Sequence, residues 1–150
     1  MKRYIIKHGI SYSFITVLSL SGSFFNLNSS MKPTIDQTQF GSITISGKIY
    51  PHDVVISLNG NIRKRNKELS TMKYGTSHKV SVEESKDLYE TGAHQLIIGT
   101  GQTGYVTLSP EAAEFFAQQG CIVKLLPTPQ AIEAWNKSNE AVIGLFHVTC

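Results

Sequence analysis

The fold class is decided by residues 95–137, which read QLIIGTGQTGYVTLSPEAAEFFAQQGCIVKLLPTPQAIEAWNK. The two apolar runs in this segment, QLII and CIVKLL, have the composition of strands buried on both faces. Each is followed by a helix signal, a cap residue and a first-turn proline at Ser109-Pro110 and at Thr128-Pro129. A third apolar run follows at 141–146. Strands that alternate with helices in this way predict a parallel sheet.

The residues before this segment predict antiparallel strands. Turn signals at Ser46-Gly47 and Asn59-Gly60 separate β-rich runs, and Asn-Gly favours a hairpin because both residues tolerate positive φ. The predicted runs are 40–45, 48–50, 53–58 and 61–67. Further on, Ser81-Val-Glu-Glu84 is a capping box in which Glu84 is expected to reach back to the Ser81 amide. The fold class is therefore α/β, a three-layer single domain whose mixed sheet has parallel core strands and an N-terminal antiparallel β-hairpin layer.

Residues 1–30 differ in composition from the rest, since they are basic at the start, rich in serine and free of acidic residues. Three alternatives fit this leader: a disordered or over-annotated stretch with Met31 as the true start, a cleaved targeting segment, or a membrane anchor. The apolar run is too interrupted for a stable membrane span. We predict a leader at 1–30 and one domain at 31–150. The expected location is the cytoplasm, or the mitochondrion or exterior if the leader is a targeting segment.

Composition excludes several classes of protein. The chain of 150 residues is 41% hydrophobic, which excludes a wholly disordered protein. Two cysteines without a C-x-x-C pair exclude a disulfide scaffold and a dithiol redox motif. The net charge of +3 comes from the leader and from residues 61–80, where six cations accompany one acid. A specific anionic partner is therefore expected only at that local patch.

The basic patch contains Arg63, Arg65 and Lys67, which would share one face of a strand. Such a row could bind phosphate or carboxylate, with arginine acting as a bidentate donor. The alternative is a solvated edge strand whose charges prevent unwanted pairing. Nucleic acid is not favoured as a partner, because Tyr74 is the one aromatic residue among these cations.

The segment Tyr74-Gly-Thr-Ser-His78 places a phenol, two hydroxyls and an imidazole behind a turn glycine. Thr76, Ser77 and His78 could together bind an anion, or the segment could be a hydrogen-bonded structural turn. Ser77 and His78 would act as nucleophile and base only if their side chains converged, which adjacent residues rarely achieve.

The loop from Gly99 to Gly104 matches G-x-G-x-x-G, but a dinucleotide site needs a helix to open inside the motif, and here the helix begins only at Pro110. Two alternatives are a turn that allows close backbone approach and an anion-binding loop that includes Thr100 and Gly101. Because ligands bind beyond the carboxyl ends of parallel strands, this loop and the segment from His147 to Cys150 are expected at one edge of the sheet.

His147 and Cys150 form an H-x-x-C pair. A zinc site needs three or four ligands, so the pair alone predicts no metal, and a reactive thiolate is the other alternative. No cofactor is predicted.

Several of these segments occur in order over about residues 34–150. They are Phe40-Gly41, Arg63-Lys-Arg65, Tyr74 to His78, Ile97 to Gly101, Leu126 to Ala131 and Leu145 to Cys150. As a set they resemble the Mth-nine-three-eight-like domain family, which includes an adipogenesis-associated Mth-domain protein and, more distantly, a mitochondrial complex I assembly factor. The resemblance implies a three-layer α/β domain with a mixed sheet. It implies an assembly or adaptor role in the better-understood relatives and no particular reaction.

The sequence therefore predicts a binding or adaptor domain that recognises a protein partner or a small anionic ligand. The candidate ligand-binding residues are Arg63, Arg65, Tyr74, Thr76, Ser77, His78, Gly99, Thr100, Gly101 and His147. The alternative is a small hydrolase or transferase in which His78 or His147 serves Ser77 or Cys150 as the base, with loop amides stabilising an oxyanion. A purely structural assembly factor would show an exposed apolar patch instead.

Overall fold

The structure is a computed structural model that describes residues 32–150, so the predicted leader and the start at Met31 lie outside the described residues. The strands are β1 Ile35–Gln39, β2 Ser42–Ile45, β3 Lys48–Tyr50, β4 Val54–Ile56, β5 Ile62–Lys64, β6 Lys79–Val80, β7 Gln95–Thr100, β8 Thr107–Leu108, β9 Ile122–Leu126 and β10 Val142–His147. The helices are α1 Glu68–Tyr74, α2 Val82–Leu88, α3 Pro110–Gln118 and α4 Thr128–Lys137.

The main sheet has five strands in the order β5-β4-β10-β7-β9. β10 and β9 both pair with β7 in parallel, while β4 pairs antiparallel with β10 and with β5. The prediction of a mixed sheet with parallel core strands is confirmed. β10 lies in the middle of this sheet and is flanked by one partner of each orientation.

An antiparallel sheet of β1, β2 and β3 forms the hairpin layer, and β6 and β8 form a short parallel pair. The predicted turn at Ser46-Gly47 is present, and both of its residues have positive φ. Phe40 was expected in a strand but lies exposed in the turn between β1 and β2. The strand expected at 61–67 ends at Lys64, because the chain then turns into α1, a helix that no cap signal announces.

Helices cover both faces of the five-stranded sheet. On one face Ile97 and Phe146 pack with Trp135 of α4 and with the hairpin layer. On the other face the alternate residues of β7 and β10 pack with Leu88 of α2 and Phe116 of α3. This alternation confirms the predicted three-layer arrangement. No helix within residues 32–150 is long and apolar enough to cross a lipid bilayer.

The starts of α2 and α3 are confirmed, with Ser81 and Ser109 as their caps, while two details of the predicted helix starts differ. Ser81 Oγ accepts the Glu84 amide at 3.1 Å, as an N-cap does. The Glu84 carboxylate, however, does not reach back to Ser81, whose amide donates to Ser70 Oγ at 2.9 Å. Thr128 was expected as a cap but is the first residue of α4, and its hydroxyl donates to the His147 carbonyl at 2.6 Å.

Candidate functional site

The ends of β7 and β10 lie side by side at one edge of the main sheet. Thr100, at the end of β7, is in register with His147, at the end of β10. Beyond them the Thr103 amide donates to the Cys150 carbonyl at 3.0 Å. The prediction that the glycine-rich loop shares an edge with the segment after β10 is therefore confirmed.

Gly101 lets the loop backbone approach that segment closely. Its φ is +106°, and a Cβ at this position would lie 2.4 Å from the Cys150 carbonyl oxygen. The Gly101 amide donates to Thr128 Oγ1 at 3.0 Å, and the Gln102 amide donates to the Thr149 carbonyl at 3.3 Å. These amides are already bonded within the protein, which supports the close-packing interpretation of the loop over the anion-binding one.

The segment from Tyr74 to His78, called here the 74–78 turn, links α1 to β6. Thr76 Oγ1 accepts the His78 amide at 3.1 Å. Ser77 takes part through its carbonyl, which accepts from Arg65 Nη2 at 2.7 Å. The turn is thus hydrogen-bonded, and it fixes the position of His78 at the start of β6.

Arg65 belongs to a buried network of ion pairs. Its Nε lies 2.6 Å from Glu84 Oε1 and its Nη1 lies 3.3 Å from Asp53 Oδ2, and the side chains of both acids are at most 1% exposed. The Ser70 hydroxyl also donates to Glu84. The guanidinium is therefore held inside the fold by two carboxylates rather than presented to a ligand.

The three cations of the basic patch lie in different environments. Arg63 pairs with Asp87 at 2.8 Å on the surface, whereas the Lys67 ammonium lies 3.1 Å from Asp53 Oδ2. β5 ends at Lys64, so the alternation of a strand does not extend to Lys67. The expectation of one cationic strand face is therefore wrong.

Asp53 joins this network to His147. Its Oδ2 accepts from His147 Nδ1 at 2.7 Å, and its Oδ1 accepts the Val148 amide at 3.0 Å. Burial on its own raises the pKa of Asp53, but the hydrogen bonds from His147 and Val148, with the positive charge of Lys67, outweigh it and hold that pKa well below 3.8. The ionised carboxylate fixes Nδ1 of His147 as a donor and leaves Nε2 as an acceptor.

Three side chains of the metal-ligating type converge beside Asp53, and we call His78, His147 and Cys150 the thiol–imidazole cluster. His78 Nε2 lies 3.5 Å from Cys150 Sγ, and the two imidazole rings are 5.5 Å apart between centroids. One donor atom from each residue lies within 4.8 Å of the others. His147 is buried and its Nε2 lies 3.1 Å from Thr149 Oγ1, whereas His78 and Cys150 are partly exposed.

The other cysteine lies in the core. Cys121 packs with Phe116 against the main sheet, and burial raises the pKa of its thiol. Both cysteines are free, so Cys150 is the thiol at the candidate site.

The side chain of Tyr105 borders the cluster in space, whereas Lys79 adjoins His78 in the sequence. The Tyr105 ring is 6.3 Å from the His78 ring and is largely exposed. Lys79 follows His78 directly and places its ammonium 4.6 Å from the Tyr74 ring.

The candidate residues thus separate into three groups, and the first consists of Arg65, Thr76 and Ser77, which bond within the ion-pair network and the 74–78 turn. His78 and His147 meet at the cluster, while Gly99, Thr100 and Gly101 support it from the neighbouring strand end. Arg63 and Tyr74 lie apart from the cluster and face the carboxylates of Asp87 and Glu111.

Sequence reasoning missed Asp53 and Glu84, the two acids of the network. Asp53 precedes the buried run of β4, and an acid next to such a run was the one available signal. Glu84 carried a competing signal, since its spacing from Ser81 is that of a capping box.

The fold and the cluster together define a small mixed α/β domain with a histidine- and cysteine-bearing sheet edge. A family model described as "Protein of unknown function (DUF498/DUF598)" matches residues 35–147. The chain belongs to this family of Mth938-like domains.

Solved structures agree with this assignment and confirm the resemblance seen in the sequence. The conserved hypothetical protein PH1505 from Pyrococcus horikoshii OT3 is 34% identical, with a TM-score of 0.71 over 78% of this chain and 99% of that one. The protein MT938 is 33% identical, with a TM-score of 0.67 over 79% of this chain and 100% of that one. A Bordetella pertussis protein described as a Mth938-like domain shares the fold at 15% identity, with a TM-score of 0.53 over 77% of this chain and 85% of that one.

Proposed function

We propose that this protein is a binding domain whose ligand contacts the thiol–imidazole cluster. One observation carries the proposal: His78 and Cys150, which are 72 positions apart in the chain, lie in contact beside His147 at the carboxyl edge of the sheet. Ligand sites in α/β sheets lie beyond the carboxyl ends of parallel strands. The cluster lies at such an edge, and two of its three side chains are partly exposed.

The ligand that we favour is small and anionic. Lys67 contacts the same carboxylate as His147, and Lys79 directly follows His78. Within residues 32–150 no carboxylate lies within ion-pair distance of Lys79. The imidazole donors of the cluster, with Lys67 nearby on Asp53, suit a phosphate or a carboxylate. The alternative ligand is a protein partner with an acidic segment, and thermal unfolding with small anions distinguishes the two.

A small hydrolase or transferase is the second candidate, because the contact between Cys150 and His78 is that of a nucleophile and a base. Two features weigh against it. Asp53 orients His147, whereas the base that contacts the thiol is His78, which has no carboxylate partner within the described residues. The amides of Gly101 and its neighbours, which would stabilise an oxyanion, are bonded within the protein.

The proposed location is the cytoplasm. Cys121 and Cys150 are both free, and thiols persist in that reducing compartment.

Thermal unfolding of the full chain with inorganic phosphate, AMP or citrate tests the proposed function. A probe at about 100 times its Kd should stabilise the domain by about 2.7 kcal/mol and raise Tm by roughly 5–10 °C. His78→Ala should abolish the shift. His94→Ala removes an exposed histidine outside the cluster and should leave the shift intact. If no probe raises Tm, or if His78→Ala responds like the wild type, the small-anion proposal fails and an acidic protein partner becomes the better candidate.

The rate of p-nitrophenyl acetate hydrolysis distinguishes the enzyme hypothesis from the binding-domain hypothesis. The binding proposal predicts that Cys150→Ser hydrolyses the ester as slowly as the wild type. A rate that falls at least tenfold in Cys150→Ser would favour the enzyme.

A further inference from the structure

The thiol–imidazole cluster provides two imidazole nitrogens and one thiol sulfur, a donor set that zinc ions prefer. The H-x-x-C pair in the sequence supplies His147 and Cys150, and the fold adds His78 as the third donor. Zinc sites that keep one coordination position open have three protein ligands, the same number as this cluster provides.

The distances suit a zinc ion. With Zn–N bonds of about 2.0 Å and a Zn–S bond of about 2.3 Å, a tetrahedral ion places its nitrogen and sulfur ligands about 3.5 Å apart. His78 Nε2 and Cys150 Sγ are 3.5 Å apart. The widest separation among the three donor atoms is within 4.8 Å. It must contract by at most about 1.5 Å, which the partly exposed side chains of His78 and Cys150 can achieve by rotation.

The surroundings of His147 resemble those of a zinc ligand. Metal-bound histidines usually donate their other ring nitrogen to a carboxylate, which sets the tautomer and the ring orientation. His147 Nδ1 is 2.7 Å from Asp53, and Asp53 is itself held by the Val148 amide and by Arg65. His147 Nε2 is thereby left as an acceptor, and it lies 3.1 Å from the Thr149 hydroxyl. An incoming ion would replace that hydroxyl.

We infer that His78, His147 and Cys150 bind one Zn²⁺ ion through Nε2, Nε2 and Sγ. The Cys150 thiol releases its proton to solvent as the Zn–S bond forms, and the fourth position stays open to water or an external anion. This inference deepens the proposed function, on which it rests, because an anionic ligand would then bind through the ion.

Metal titration of the reduced, chelator-treated full chain tests the inference. Co²⁺ should bind with a stoichiometry of one and give the near-ultraviolet charge-transfer absorption of a cobalt–thiolate bond. Zn²⁺ should displace it. His78→Ala and Cys150→Ser should each weaken Zn²⁺ binding at least tenfold, while His94→Ala should bind as the wild type does. Far-ultraviolet circular dichroism checks that each variant is folded.

A second measurement needs no variant. One equivalent of Zn²⁺ should protect Cys150 of the wild type from iodoacetamide, as mass spectrometry of the modified peptide would show. Absence of the cobalt–thiolate band, lack of protection, or equal Zn²⁺ affinity in the wild type and His78→Ala would overturn the zinc inference. The phosphate, AMP and citrate shifts, measured once in chelator and once with one equivalent of Zn²⁺, report on the proposed function separately. A rise in Tm with one of these anions, together with no Zn²⁺ binding, would overturn the zinc inference and support the anion site.

Discussion

Arg63 and Arg65 are two positions apart, yet one guanidinium group is exposed and the other is buried. Arg63 pairs with Asp87 where both side chains are more than a third exposed. Arg65 is buried between Glu84 and Asp53. Exposed ion pairs contribute little, whereas removing one partner of a buried pair leaves a charge without compensation.

Arg65→Ala should therefore lower the free energy of unfolding by about 3–5 kcal/mol, since Glu84 stays buried without its cation and Asp53 loses one of its partners. Arg63→Ala is the matched control and should cost less than about 1 kcal/mol. Urea denaturation measures both. Equal losses in the two variants would contradict the structural role of Arg65.

Asp53 should make the free energy of unfolding depend on pH in the acidic range. Its pKa in the folded protein is held below the ordinary 3.8, so the unfolded chain takes up the proton first. The stabilisation is complete above about pH 5 and is lost as pH falls from there towards the folded pKa, at up to about 1.4 kcal/mol per pH unit.

The free energy of unfolding should accordingly fall less steeply below pH 5 in Asp53→Asn than in the wild type, although the variant is less stable at pH 7. His147, Lys67 and Arg65 are the charged or titratable groups that contact Asp53. Asp87→Asn, which changes an exposed acid, should keep the slope of the wild type. A wild-type slope in Asp53→Asn would show that other carboxylates govern the acid response.

At the scale of elements, β10 and α4 pack closely at Gly144. A Cβ on Gly144 would lie 2.6 Å from the Phe146 ring and 3.0 Å from the Trp135 ring. Both rings are buried, so neither can move into solvent.

Gly144→Ala should destabilise the protein by about 1–3 kcal/mol through overpacking. Adding Trp135→Phe should relieve part of the clash, so the double variant should lose less than the sum of the single losses. Thermal or urea unfolding of all three variants checks this coupling. Simple additivity would mean that Trp135 is not the ring that Gly144 accommodates.

Most elements were predictable because their signals are local. Ser109-Pro110 marks α3, and the apolar run that begins at Gln95 marks β7, since caps and buried strands depend on neighbouring residues. α1 was not predictable, because Lys67 at its start makes no side-chain cap. Tertiary contacts, chiefly those of Ser70 with the network, hold it instead.

The site was predictable only in part. His147 and the glycine-rich loop follow from strand order, since parallel strands end at the same edge. The contact of His78 with Cys150 and the burial of Arg65 depend on side-chain pairing across 72 and 19 positions. No local pattern encodes such distances.

At the scale of the whole molecule, the main sheet ends in β9, which within residues 32–150 pairs with β7 alone. Ile122 and Leu125 on this strand are 62% and 42% exposed, and Lys124 between them is the one charge on the strand. An apolar strand at the edge of a sheet is prone to pair with another chain.

Ile122→Lys should delay aggregation on heating and change the free energy of unfolding by less than about 0.5 kcal/mol, because this side chain packs little. Lys124→Ile should hasten aggregation. Light scattering at fixed protein concentration measures both effects. The same onset in both variants would show that aggregation begins elsewhere.

The central position of β10 has a consequence for biosynthesis. Every other strand of the main sheet precedes β10 along the chain, yet β4 and β7 can join only through it. On the ribosome, where chains emerge from the N-terminus at about 5–20 residues per second, the sheet stays in two parts until residues 142–147 emerge. Until then the edges of β4 and β7 that later pair with β10 are open, and such unpaired edges are prone to associate with other chains.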